Sequence, residues 1–169
     1  VRECVDSIQG QSLTPFEIIV INDGSTDATL AVLQECYDLY PTNMVLGHSI
    51  RVFHSRKQAN LRVIDKPNEG KAAALNTALQ IAQGDLFVTV DADSILHPRA
   101  MQRLVVPLVS DSEVVAVGGM VKAANGINTQ QLTTDGGHLP QGWLPRLQWV
   151  EYATGFVWRF GWAYLNTLL

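Results

Sequence analysis

The chain has 169 residues, a length typical of one domain, with 47% hydrophobic and 17% charged residues. This composition excludes a disordered chain, because enough apolar side chains are present to form a core. The net charge of −4 and the pI near 5.5 disfavour a protein that binds the phosphate backbone, so we expect no nucleic-acid partner.

Apolar runs alternate with helical patterns in the first part of the chain. Glu17–Ile21 is a β-branched run that predicts a buried strand, and Asn22–Ser25 is a turn after which Ser25 or Thr26 can cap a helix. The end of a helix is predicted over 2–9 and a complete helix over 27–40. Two short strands are predicted over Ile50–Phe53 and Leu61–Ile64.

The second part continues the alternation. Helices are predicted over Gly70–Gln83, over 98–108, where Pro98 opens the helix, and over Trp143–Leu169. Strands are predicted over Leu86–Val90, which would be buried, and over Val114–Val121. The segment Thr129–Gly142 is predicted to be a loop. Strand–helix alternation predicts an α/β fold with a mostly parallel sheet flanked by helices. In such sheets, ligands bind at the carboxyl ends of the strands.

Two carboxylates, Asp91 and Asp93, follow the predicted strand Leu86–Val90. In extended backbone, side chains two residues apart point the same way, so these carboxylates would converge. Hard oxygen ligands of this kind suit Mg²⁺ or Mn²⁺ that bridges the phosphates of a substrate. The alternative is an ordinary loop that begins with Asp-Ala-Asp.

Asp23 and Gly24 follow the first predicted strand. Asp23 can accept hydrogen bonds from a base or ribose, and Gly24 lets the backbone approach a ligand closely. The alternative is an Asx turn that starts the next helix, with Asp27 at its positive end.

Gly70 and Lys71 open the Ala-rich helix. The amides at a helix N-terminus favour anions, and Lys71 would add a cation near a diphosphate. The alternative is a solvated lysine, although the helix dipole makes lysine mildly unfavourable in a first turn.

The order and spacing of three segments, Ile19–Asp27, Lys66–Asn76 and Val90–Ser94, resemble glycosyltransferase family 2. The resemblance is strong over 1–122 and weaker through Leu147–Tyr152 and the helix that follows. It is greatest to membrane-bound bacterial polysaccharide synthases, such as the poly-N-acetylglucosamine, hyaluronan and cellulose synthases. It implies a Rossmann-like GT-A fold for nucleotide-diphospho-sugar transfer, truncated at both ends.

The resemblance also implies roles for single residues. Asp23 would contact the nucleotide base, with Gly24 beside it, and Lys71 would lie near the nucleotide. Asp91 would lie by the ribose and diphosphate. Asp93 would bind the Mg²⁺ or Mn²⁺ that neutralises charge on the leaving diphosphate.

The function implied is transfer of a sugar from a UDP-sugar donor to a glycan acceptor, with inversion, in polysaccharide synthesis. Residues 1–169 would be one partial GT-A domain, with 1–122 as the nucleotide-sugar-binding half and 123–169 leading toward the acceptor half. The catalytic base and the acceptor motif are expected beyond Leu169, so this segment alone is expected to be inactive. Membrane segments outside this chain would hold a cytoplasmic domain at the inner or plasma membrane.

Two other functions remain open at this point: a sugar-nucleotidyltransferase and a non-catalytic sugar-nucleotide-binding protein. Cys4 and Cys36 predict neither a disulfide framework nor a metal site. The aromatic residues Trp158, Trp162 and Tyr164 fit either a helix stripe that faces the core or a membrane interface. The histidines have no metal-ligand spacing and are expected on the surface or in loops: His48, His54, His97 and His138.

Overall fold

The computed structural model describes residues 1–121 and 142–166, with side chains up to residue 155. The chain divides into two compact units, Val1–Leu96 and His97–Leu169. The first unit contains, in chain order, α1 (Arg2–Gln9), β1 (Ile18–Asp23), α2 (Thr29–Tyr37), β2 (Leu39–Pro41), β3 (Arg51–Ser55), β4 (Leu61–Lys66) and α3 (Lys71–Leu79). The second contains α4 (Ala100–Ser110) and α5 (Trp143–Asn166).

The sheet of the first unit has the strand order β1-β4-β3-β2. β1 and β4 are parallel, whereas β3 is antiparallel to both β4 and β2. The α/β class is therefore confirmed, but the sheet is mixed rather than mostly parallel. Only five residues separate β3 from β4, which is enough for a hairpin and too few for the crossover that parallel strands need.

The parallel register places the ends of β1 and β4 side by side. Ile18 lies opposite Leu61 at one end, and Asp23 lies opposite Lys66 at the other. Because the two strands run in the same direction, Asp23 and Lys66 both lie at the carboxyl edge of the sheet. This is the edge at which the sequence predicts ligand binding.

Apolar side chains cover both faces of the sheet, since successive strand residues point to opposite faces. On one face, buried residues of α1 and α2 pack against the strands; this cluster contains Val5, Ile18, Leu33, Tyr37, Phe53, Leu61 and Val63. On the other face, Val52, Ile64 and Ile81 are buried together, with Ile19 and Ile21 packed against them.

Two strand predictions are wrong. Leu86–Val90 forms no strand, and Leu86, Phe87 and Val88 are 47%, 68% and 42% exposed. Val114–Val121 also forms no strand, and Val115 is 92% exposed. An apolar run marks a segment that can be buried, but a strand also needs a neighbour for its backbone hydrogen bonds. Neither segment has such a neighbour within residues 1–121 and 142–166.

The predicted helix boundaries change at several places. The helix predicted over 27–40 ends at Tyr37, because residues 39–41 form the strand β2. α2 begins at Thr29 with Ala28 at its N-cap, so neither Ser25 nor Thr26 caps it. The Thr29 amide donates to Asp27 Oδ1 at 2.9 Å, which forms an Asx turn directly before the helix. α3 ends at Leu79 rather than at Gly84, and α4 begins two residues after Pro98. Of the predicted loop Thr129–Gly142, residues 129–141 lie outside the described residues. Within the part of the chain that is described, no helix has the length and apolarity needed to cross a membrane.

The core predicts a large cost for truncating Leu61, which has no exposed surface. Leu61→Ala should lower the free energy of unfolding by ~2–5 kcal/mol, because it leaves a cavity between the sheet and its helices. Urea unfolding followed by circular dichroism measures this change. The matched control is Leu79→Ala on α3, where the side chain is 46% exposed and the expected change is about 0.5 kcal/mol. Equal losses in the two variants would contradict this description of the core.

Candidate functional site

The carboxyl edge of the sheet contains a buried ion pair between β1 and β4. The Lys66 ammonium lies 2.8 Å from Asp23 Oδ1, 2.7 Å from Glu69 Oε2 and 2.7 Å from the Pro67 carbonyl oxygen. The Lys66 side chain has no exposed surface. Three acceptors match the three protons of an ammonium group, so this buried cation is fully hydrogen-bonded. We call Lys66, Asp23, Glu69 and Pro67 the Lys66 network.

The Asp23 carboxylate also binds the backbone that leads into α3. Its Oδ1 accepts the Glu69 amide at 3.2 Å, and its Oδ2 accepts the Gly70 amide at 2.9 Å. The hydrogen bond from Lys66, aided by these amides, holds the pKa of Asp23 below its usual range. Three of the roughly four acceptor positions of the carboxylate are occupied, so one position on Oδ2 remains for another donor.

Gly24 lies where two segments of the chain approach each other. Its φ is +71°, and a Cβ atom built at this position would lie 2.6 Å from the Asn68 nitrogen. A larger residue would be strained and would push Asn68 away. The sequence predicts a close backbone approach at Gly24, and in the described structure the approaching group is the Asn68 backbone.

Lys71 and Asp91 meet across this edge. The Lys71 ammonium lies 2.5 Å from Asp91 Oδ1, and the two side chains are 71% and 64% exposed. An exposed ion pair contributes little to stability, so both groups can exchange partners at low cost. Lys71, which is predicted to lie near the nucleotide diphosphate, thus contacts Asp91, which is predicted to lie by the ribose and diphosphate.

Asp91 and Asp93 belong to a turn. The Ser94 amide donates to the Asp91 carbonyl oxygen at 2.9 Å, which closes the turn over Ala92 and Asp93. The extended backbone predicted for Asp91 and Asp93 is therefore wrong. Both carboxylates still lie near Cys4, where burial raises the pKa of the thiol and the charges of Asp93 and Asp91 add to that rise.

Comparison with known proteins decides the family. The sequence profile of glycosyl transferase family 2 matches residues 1–169. The chain belongs to glycosyltransferase family 2.

The relatives of this family 2 chain include polysaccharide synthases. A chondroitin synthase and a hyaluronan synthase of Pasteurella multocida are each 32% identical over 117 residues, which is 69% of this chain and 10% of each relative. A chondroitin synthase of Escherichia coli is 32% identical over 99 residues, covering 59% of this chain and 12% of the relative. The chain thus spans about a tenth of the length of these relatives. No solved structure matches it significantly.

Family 2 glycosyltransferases generally use a divalent metal ion, and Asp91 and Asp93 fit such an ion chemically. Mg²⁺ binds one or two protein carboxylates and completes its coordination with water and substrate phosphates. Both aspartates are exposed and lie in one turn beside Lys71. Within the described residues, no group of three or more His, Cys, Asp or Glu side chains forms a metal site.

The remaining predicted residues have different outcomes. His48 is exposed and lies outside the regular elements, whereas His54 lies within β3 rather than in a loop. His138 and the side chains of Trp158, Trp162 and Tyr164 lie outside the described residues.

A second polar row at this edge is not predicted by the sequence motifs. Asn22 Nδ2 lies 2.6 Å from Asp65 Oδ1, and Arg51 also donates to the Asp65 carboxylate. Asn22 is buried, and within the described residues its Oδ1 has no hydrogen-bond partner. The sequence does contain a signal for this row: Asn22 in β1 and Asp65 in β4 each directly follow an apolar run.

Lys66 and Glu17 also received no role. Lys66 was visible only as part of the family motif. Glu17 lies at the opposite end of β1, where its carboxylate accepts from Arg62 and from the Gln83 amide at 2.5 Å. Their partners are distant in sequence, so the sequence alone gives no pairing.

The lowered pKa of Asp23 predicts a stability effect that depends on pH. A carboxyl group with a lowered folded pKa stabilises the protein above its unfolded value of 3.8, and this contribution is lost as the pH falls through the folded value. Asp23→Asn should therefore be less stable than the wild type at about pH 7, and the difference should shrink below about pH 4.

Urea unfolding of both proteins at several values between about pH 7 and pH 3 measures this difference. The control is Glu35→Gln, which changes an exposed carboxylate on α2. A stability difference for Asp23→Asn that stays constant over the whole range would contradict the role of Asp23 in the Lys66 network.

Proposed function

We propose that this family 2 chain binds a UDP-sugar together with Mg²⁺ or Mn²⁺ and serves as the donor side of a glycosyltransferase. The observation that supports this most is the meeting of Lys71 and Asp91 at the carboxyl edge of the sheet, 2.5 Å apart and exposed. A cation and two carboxylates close together can bind a diphosphate and its metal ion. Family membership favours this reaction over that of a sugar-nucleotidyltransferase.

The charges of the site suit a diphosphate. Lys71 is the first residue of α3, so its ammonium and the first helix amides both present positive charge to an anion. Asp91 neutralises Lys71 in the described structure. In the proposed complex, Lys71 would turn to the diphosphate, and Asp91 and Asp93 would hold the metal ion, which would supply positive charge to the departing phosphate.

Asp23 would contact the nucleotide base. Its remaining acceptor position suits a single N–H donor, such as the imide of uracil. The Lys66 network holds the carboxylate in place, so binding a base would cost little additional ordering.

The proposed reaction is transfer of the sugar, with inversion, to a growing polysaccharide. The names of three relatives, chondroitin synthase twice and hyaluronan synthase once, support a polysaccharide acceptor. We also propose that this domain belongs to a longer protein, which holds it in the cytoplasm beside a membrane.

The proposed metal ion predicts a difference in the affinity for UDP. UDP should bind the wild type about tenfold more tightly with Mn²⁺ than with a chelator, a difference of ~1.4 kcal/mol. Asp93→Asn should lose this difference, because it removes a charged ligand from a hard cation. Isothermal titration measures both proteins, and Asp85→Asn, which changes an exposed carboxylate of the same unit, is the matched control. Equal binding by the wild type with and without Mn²⁺ would refute the metal role.

The second prediction concerns the base. Uridine without metal should bind Asp23→Ala about tenfold more weakly than the wild type, which corresponds to the loss of one hydrogen bond to a charged group. Asp85→Ala should bind uridine like the wild type. The measurement is again isothermal titration. If the wild type and Asp23→Ala bind uridine equally, the assignment of Asp23 to the base is incorrect.

A further inference from the structure

The side chains of the loop directly before Lys71 are exposed rather than packed against the protein. Residues 67–70, between β4 and α3, are exposed, and so is Lys71. Gly70 has a φ of +88°, and a Cβ atom built there would meet no atom within 4 Å. The position of this loop therefore does not follow from side-chain packing around it.

Hydrogen bonds from the Lys66 network hold the loop instead. Asp23 accepts the amides of two consecutive loop residues, Glu69 at 3.2 Å and Gly70 at 2.9 Å. Lys66 binds Asp23, the Glu69 carboxylate and the Pro67 carbonyl oxygen. The Lys66 ammonium thus contacts the first loop residue, Pro67, and the third, Glu69. It also contacts Asp23, whose carboxylate accepts the amide of the last loop residue.

Stability alone gives a weak reason for a lysine at this position. A buried ion pair is often no more stabilising than apolar residues of similar volume, because both charges lose their hydration. Its directional hydrogen bonds, in contrast, fix the positions of the groups that it contacts. The Lys66 network fixes Gly70, which is the residue directly before Lys71.

We propose that Lys66 is a positioning residue of the donor site: it holds loop 67–70 on the end of β1 so that Lys71 reaches the diphosphate. This inference rests on the proposed function. Lys66 itself contacts protein groups, and its effect on the donor passes through the backbone of Glu69 and Gly70 to Lys71.

The first test needs no ligand. Lys66→Met keeps the unbranched apolar stem, one atom shorter, and removes its charge and donors. It should speed hydrogen exchange at the Glu69 and Gly70 amides about tenfold or more, while the amides shared by β3 and β4 stay protected. The matched control is Lys57→Met, which changes an exposed lysine that contacts the end of α2. Unchanged exchange at Glu69 and Gly70 would overturn the proposal.

Glu69→Gln provides a second variant that should fold, because the Glu69 side chain is 63% exposed. It removes one charged partner of Lys66 and leaves Asp23 intact. It should speed exchange at the same two amides by about threefold. If Lys66→Met does not fold, the result with Glu69→Gln decides the proposal.

The second test separates positioning from general stability. The probe is UDP with Mn²⁺, measured by isothermal titration in a double-mutant cycle of Lys66→Met and Lys71→Met. Each single variant should bind UDP about tenfold more weakly than the wild type, and the double variant should lie within about twofold of Lys71→Met. Additive losses, near a hundredfold in the double variant, would mean that Lys66 does not act through Lys71. A wild type that binds no UDP would refute the proposed function, while the exchange experiment still decides the role of Lys66 in holding the loop.

Discussion

The ammonium group of Lys66 lies without exposed surface between the carboxyl ends of β1 and β4. A buried charge is tolerated only when it is paired and its protons are bound, and this requirement determines the neighbourhood. Asp23 must be present on the adjacent strand in the same register, and Glu69 must fold back over the strand end. The position of the loop before α3, and with it the start of Lys71, follows from these contacts.

β1 carries a carboxylate near each end, and the two act alike. Glu17 contacts Arg62 of β4 and accepts the Gln83 amide, whereas Asp23 contacts Lys66 of β4 and accepts the Gly70 amide. The two carboxylates therefore hold the backbone on either side of α3: Asp23 directly before it and Glu17 four residues after it.

The sequence predicts much of this arrangement, and the physical reasons for its limits differ. Most elements from α1 to α3 were predictable because each has an apolar pattern of its own, such as the apolar run Ile18–Ile21 in β1. The strand β2 was not, since it overlaps the end of the helix predicted over 27–40. Leu86–Val90 has such a pattern too, yet it is no strand, because pairing depends on another segment of the chain. Asp23, Lys71 and Asp91 stood out through their motifs. The partners of Asp23 could not be predicted, because they are set by the register of β1 against β4.

The parallel pairing of β1 with β4 joins residues that are far apart in the chain: Asp23 and Lys66 are separated by 43 positions. The hairpin of β3 and β4 closes over only a few residues, so it can form on the microsecond timescale of isolated hairpins. β1 then has to close a much longer loop, and contacts of large sequence separation slow folding. Until that step, Leu61, Val63 and Ile64 lie on a strand whose second edge is open to other chains. The order of strands that builds the proposed donor site therefore also leaves the chain open to aggregation until β1 docks.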